Sequence, residues 1–164
     1  MLFARYVPRK VPSEVLLDAI TQVTGVHEEF KNYPDGTSPK DLVASIGATH
    51  FLTTFGTPRR DVLEARSQAP SLAQALNLMN GTEVEEKVRA ENNVLGDLLQ
   101  QGLPDEQVVS ELYLRAYARP PTSEESAAIT AYVTGEAQAG RDRRRAFENI
   151  LWAILSSKEF ELNR

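Results

Sequence analysis

Few residue types in this 164-residue chain could do chemistry, and the densest group is Arg141-Asp142-Arg143-Arg144-Arg145. Guanidinium groups grip sulfate, phosphate or carboxylate through paired N–H donors. The run opens a segment with helical periodicity, where basic charge is mildly unfavourable, so something must compensate it. Two accounts stay open. Arg141, Arg143, Arg144 and Arg145 could pair with nearby acids such as Glu136 and Glu148, the latter four residues after Arg144 and on its face. They could instead hold an anionic partner: a sulfated glycan, a phosphate or nucleic acid. Arg9-Lys10 and Arg59-Arg60 are two further basic pairs that folding could bring beside the run.

The other chemistry-bearing residues read as structural. The two histidines are His27, followed by Glu28-Glu29, and His50, set among Phe51, Leu52 and Phe55. Neighbours at i, i+1 and i+2 do not face one way on a helix, and neither histidine has ligand spacing. No Gly-x-Ser-x-Gly occurs, and Thr54-Phe55-Gly56 lacks the aspartate that would make it a metal-binding triplet. Zero cysteines excludes disulfides, thiolate metal sites and covalent haem attachment within the chain. Glu83, Glu85 and Glu86, like Glu124-Glu125, lie where first helical turns are expected, and negative charge is favoured there. Asn80-Gly81-Thr82 fits a glycosylation acceptor, but equally a helix end followed by a cap. The chain holds no self-contained catalytic set.

The elements that must position these groups are helices. Pro12-Ser13-Glu14 opens a stretch with Val15, Leu16, Ala19, Ile20 and Val23 on one face, stopped at Gly25. Residues 26–37 read as loop, with a turn at Tyr33-Pro34-Asp35-Gly36, and Ser38-Pro39-Lys40-Asp41 could cap a short helix. The segment from His50 to Arg60 is ambiguous. Three capping-box patterns follow, at Ser71–Gln74, Thr82–Glu85 and Thr122–Glu125. Pro104-Asp105 starts a helix through Val108, Val109, Leu112, Tyr113, Ala116 and Tyr117. The last helix carries Phe147, Ile150, Leu151, Ile154 and Leu155 at i, i+3, i+4, i+7 and i+8. Gly135 to Gly140 reads as a helix–helix connection. The pattern predicts one all-α domain over residues 1–164, with six to seven helices and a loop-rich section near residues 26–70.

Composition bounds the function classes. The apolar fraction is 41% and the charged fraction 25%, ordinary for a globular domain. The tightest apolar cluster, Ile150-Leu151-Trp152-Ala153-Ile154-Leu155, is far shorter than a membrane span needs. The start, Met1–Tyr6, has no basic segment followed by an apolar stretch, so no secretory signal is read there. Net charge is −5 and falls entirely on residues 81–164, which hold ten basic and fifteen acidic side chains. That balance argues against a dedicated nucleic-acid binder.

Several blocks taken together carry a resemblance. They are Tyr6-Val7-Pro8-Arg9-Lys10-Val11-Pro12-Ser13-Glu14-Val15-Leu16-Leu17-Asp18-Ala19-Ile20; Thr54-Phe55-Gly56; Pro70–Leu76 with Asn80-Gly81; Glu111-Leu112-Tyr113-Leu114 with Arg119-Pro120-Pro121-Thr122; and Leu151–Phe160. In this order they resemble the C-terminal part of the planctomycete-type, cytochrome-c-associated domain of unknown function, the PSD1-like DUF1553 family. The resemblance implies a C-terminal fragment of a large exported multidomain protein, in the periplasm or at the cell surface. A haem-bearing cytochrome domain would stand elsewhere in that parent, with no cofactor in this domain. It further implies a role near electron transfer or polysaccharide breakdown. Two departures limit the carry-over: a Cys-x-Cys near Val62-Leu63-Glu64 and a histidine at Asn77 belong to the family pattern and are absent here.

Leu112, Tyr113, Arg119, Pro120, Trp152 and Phe160 read as packing residues. Tyr113 and Leu112 should lie on the last helix, and Arg119 should cap carbonyls of its own helix end before Pro120-Pro121 forces the turn. Phe160 should fold back onto that core. Two functions follow as expectations: a structural module docking on other domains of its parent, or an accessory part of a glycan-processing or redox enzyme that grips sulfated glycan. The first predicts an exposed apolar patch of several hundred Å2.

Overall fold

The computed structural model of the chain describes residues 9–42 and 82–163. Among these residues the fold is all-α, with seven helices and one 3-10 turn. The sequence-predicted box at Ser71–Gln74, the ambiguous stretch from His50, and Arg59-Arg60 lie outside the described residues, as does the loop-rich section beyond residue 42.

α1 spans Ser13–Thr24 between Pro12 and Gly25, as the sequence pattern requires. Gly25 takes φ 73° and returns its N–H to the Thr21 carbonyl, a left-handed close that glycine adopts without Cβ strain. A Cβ there would also come within 2.9 Å of the Val94 side chain. The chain then runs irregularly to the 3-10 turn Pro39–Asp41. Ser38 precedes that turn but does not cap it; its hydroxyl donates to Asp18 Oδ1 at 3.1 Å.

α2 (Thr82–Arg89) and α3 (Val94–Gln100) are two short helices broken at residues 90–93. Asn93, fully buried, makes the join: its amide donates to the Lys87 and Val88 carbonyls and its Oδ1 caps Gly96 N–H at 2.8 Å. Gly96 is needed there, because a Cβ would sit 2.5 Å from the Glu91 carbonyl oxygen. α4 (Asp105–Tyr117) begins after Pro104 and ends on Ala118, a non-glycine residue at φ 55°. α5 (Ser123–Gln138) starts with the complete capping box of Thr122 and Glu125. α6 is Arg143–Leu155, and a four-residue α7 (Lys158–Glu161) follows it.

One correction concerns Gly135, which lies inside α5; the connection to α6 is confined to residues 139–142, with Gly140 at φ 71°. Helix propensity of the surrounding alanine, glutamate and glutamine outweighs the roughly 1 kcal/mol that one glycine costs.

The core lies where α1, α2, α3, α4 and α6 meet. Leu16, Ile20, Leu95, Val108, Leu112, Phe147, Leu151 and Leu155 are wholly removed from solvent. α5 packs on α4 and α6 at the edge of this core, to which it gives Val133, its one buried residue. Apart from helices and the 3-10 turn, the described residues form a two-residue antiparallel ladder, β1 (Arg9–Lys10) with β2 (Leu162–Asn163). No helix among the described residues is long and apolar enough to cross a membrane.

Candidate functional site

The most organised polar cluster is built on Arg119, which follows the left-handed Ala118 at the end of α4. Its guanidinium Nη1 donates to Glu125 Oε2 at 2.8 Å and to the Pro120 carbonyl at 3.1 Å. Nη2 donates to Glu125 Oε1 at 2.8 Å and Glu159 Oε2 at 2.9 Å, and Nε donates to Glu159 Oε1 at 2.9 Å. All five N–H groups are therefore used, with a carboxylate forked onto the guanidinium from α5 and another from α7. The guanidinium carbon also lies 5.5 Å from the Tyr113 ring centroid and 5.3 Å from that of Tyr117. The two rings meet edge to face, 5.2 Å apart.

The sequence reading placed Arg119 on carbonyls of its own helix end. The structure corrects this: the one carbonyl it reaches belongs to Pro120, beyond α4, and carboxylates dominate. The reason is charge, since an ionised acceptor roughly doubles the strength of a hydrogen bond. Tyr117 completes the cluster, its hydroxyl 2.8 Å from Ser157 Oγ and 3.2 Å from the Ile154 carbonyl.

Titration follows the geometry. The Arg119 fork, reinforced by the Thr122 N–H, holds the Glu125 carboxyl down to about 2. The same contacts with Glu125 and Glu159 raise Arg119 further above its ordinary range. Burial pushes both Tyr113 and Tyr117 up. Every shift locks the resting charge state, whereas a general acid or base is tuned toward neutral pH. The cluster holds charge in place and is not poised to move a proton.

The arginine run is distributed differently. Arg141 pairs with Glu136 through Nε and, at 2.6 Å, through Nη2. Arg143 reaches back to Asp105 at 2.7 Å and to the Leu103 carbonyl at 2.8 Å, lying over the Phe147 ring. Arg144 donates to Glu148 at 2.9 Å and to the Ala90 carbonyl at 2.8 Å, bracing the α2–α3 turn. Arg145 is exposed and makes no hydrogen bond or ion pair among the described residues. The run thus does not converge on a common anion-sized space, and the structure does not bring it together with Arg119. Arg143 anchors the start of α4, while Arg119 works at its far end.

Leu112 is fully buried, Tyr113 and Phe160 are nearly so, and Trp152 lies partly buried against the same core. Pro120 supplies the carbonyl described above. His27 is exposed, and no group of three or more His, Asp or Glu among the described residues could hold a metal. The structure adds a residue that sequence reasoning missed. Lys87 is 4% exposed, donating to the Val26 carbonyl and pairing with Glu28 at 3.2 Å. Its signal was available: it lies three residues after Val84, within the apolar stripe that Val84 and Val88 mark at i, i+4 on α2.

The described residues also form an open surface feature. A shallow groove runs along α5 beside Glu106 of α4, lined by Ser126, Ala127, Thr130, Ala131 and Gly135 among others.

The family profile described as protein of unknown function (DUF1553), PSD1, matches residues 1–133. The chain belongs to this family. The match includes Arg119 and Glu125 and ends within α5, so Glu159 and the arginine run lie beyond it. No curated protein and no solved structure matches the chain. Membership brings no reaction with it, because the family's description is one of unknown function.

Proposed function

We propose that this chain is a non-catalytic helical module of a larger exported, cytochrome-c-containing protein, and that it works by packing against that protein's other domains. The observation that carries the reading is α5, a sixteen-residue helix with one fully buried residue, presenting small side chains over four turns. Helix faces of small residues allow close approach of another element, and nothing in α5 supplies chemistry. The charged groups around it support the same reading, since Arg119, Arg141, Arg143 and Arg144 are committed within the fold.

The exposed apolar patch expected from sequence is not seen among the described residues. Among the described residues three large apolar side chains stand exposed, Val15, Leu114 and Tyr132, each on a different helix. The docking surface in this reading is therefore the small-residue face of α5.

Calorimetric titration of the chain with the remaining domains of its parent tests the proposal. Association should occur, and Ala131→Arg, on the exposed face, should weaken it at least tenfold while leaving the melting temperature of the isolated chain unchanged. No association, or association indifferent to Ala131→Arg, would sink it. The accessory glycan-binding reading would rest on Arg145; binding of a sulfated oligosaccharide at low salt that Arg145→Ser abolishes would favour it instead.

A further inference from the structure

The last eight described residues behave as a strap laid across the finished fold. α6 ends at Leu155, and the strap turns at Ser156-Ser157, forms α7 and finishes as β2 against β1. None of its parts is stable alone: a four-residue helix is far below the length that sustains itself in water, and a two-residue ladder is weaker still. What holds it are separate tethers. Phe160 is 8% exposed against the core, and the Tyr117 hydroxyl meets Ser157 Oγ at 2.8 Å. Glu159 is forked onto Arg119, and Val11 N–H donates to the Glu161 carbonyl at 3.1 Å.

We propose that residues 156–163 form a separately opening strap that locks β1 onto the domain, with Arg119 as its catch. The catch is built for partial release. Arg119 keeps Glu125, the Pro120 carbonyl and both tyrosine rings when Glu159 leaves, so the turn from α4 to α5 stays intact. The Arg119 and Glu159 side chains keep 32% and 28% of their surface open to solvent, so water can reach the fork when it parts. Phe160 is the strap's one member of the buried core, whose other members lie on α1–α6 apart from Phe30. Opening thus removes β1's partner strand while the helices persist, a sub-global unit in the sense of native-state exchange. The coupling runs both ways: whatever draws on or binds the segment entering at Arg9 biases the Arg119–Glu159 fork, and the reverse.

Amide hydrogen exchange on the whole chain tests this directly. In Glu159→Ala, exchange at the Val11 amide should rise roughly fivefold, while the amides of Leu112 and Leu151 keep their protection. In the unmodified chain, low urea should accelerate Leu112 steeply and Val11 only slightly, since strap opening exposes little surface. Unchanged Val11 protection in Glu159→Ala overturns the proposal. So does an equal rise at all three amides, or the same urea dependence for Val11 and Leu112, because strap and core would then open as one.

Discussion

Arg119 and the run Arg141–Arg145 are two arginine sites with opposite organisation. Arg119 is a single residue, yet it joins α4, the α5 cap and α7, using every donor it has. The run is four arginines in five residues, and three of them disperse to Glu136, Asp105 and Glu148 on different elements. Density of charge in a sequence therefore says little about where charge is organised in the fold. Organisation comes from how many elements converge on one side chain, and Arg119 sits where two helix ends and a cap meet.

The comparison can be sharpened from the largest effect downward. If the run's contribution lies in what is beneath it, Phe147→Ala should cost about 3–5 kcal/mol in urea unfolding, because the ring under Arg143 is fully buried. A cost near zero would mean the charges hold α6 by themselves. Arg119→Met should lower the unfolding midpoint clearly more than Arg141→Met, since it leaves Glu125 and Glu159 facing each other without their common cation. Equal midpoints would erase the distinction between the two sites.

Thr122→Ala removes one bond of the capping box that presents Glu125, with an expected loss of about 1 kcal/mol. At Ala118, φ 55° disfavours a side chain, so Ala118→Gly should stabilise by up to about 1 kcal/mol. Arg145→Ser should change stability by less than about 0.5 kcal/mol, because the residue is exposed and makes no described pair.

Acid gives an independent view of the Arg119 site. Glu125 titrates near 2 in the fold against an ordinary 4.5, so it binds its proton more weakly folded than unfolded. Its stabilisation is complete above about 4.5 and is lost as pH falls from there toward 2. Glu125→Gln should flatten that part of the stability profile; an unaltered profile would place the acid sensitivity elsewhere.

What could be read from sequence was local. Pro12 and Gly25 bracket α1, and Thr122 with Glu125 closes a box three residues wide, because those bonds join neighbours along the chain. Gly135 misled for the same reason: taken locally, it is a helix breaker, and only the flanking turns of α5 carry it. Asn93 and the start of α3 were legible in principle, with Val94, Leu95, Leu98 and Leu99 at helical spacing after a capping asparagine. The partners of Arg119 were not, since Glu159 lies forty residues away.

By itself, then, the sequence determined the helical class, the apolar faces that became the core, and the absence of cysteine chemistry anywhere in the chain. These depend on residue type and spacing alone. Tertiary structure decided that Lys87 is buried, that the arginine run is shared out among three elements, and that Arg119 is the point of convergence. Those outcomes depend on distances between elements remote in sequence. Such distances are set by packing of the core, which no local pattern encodes.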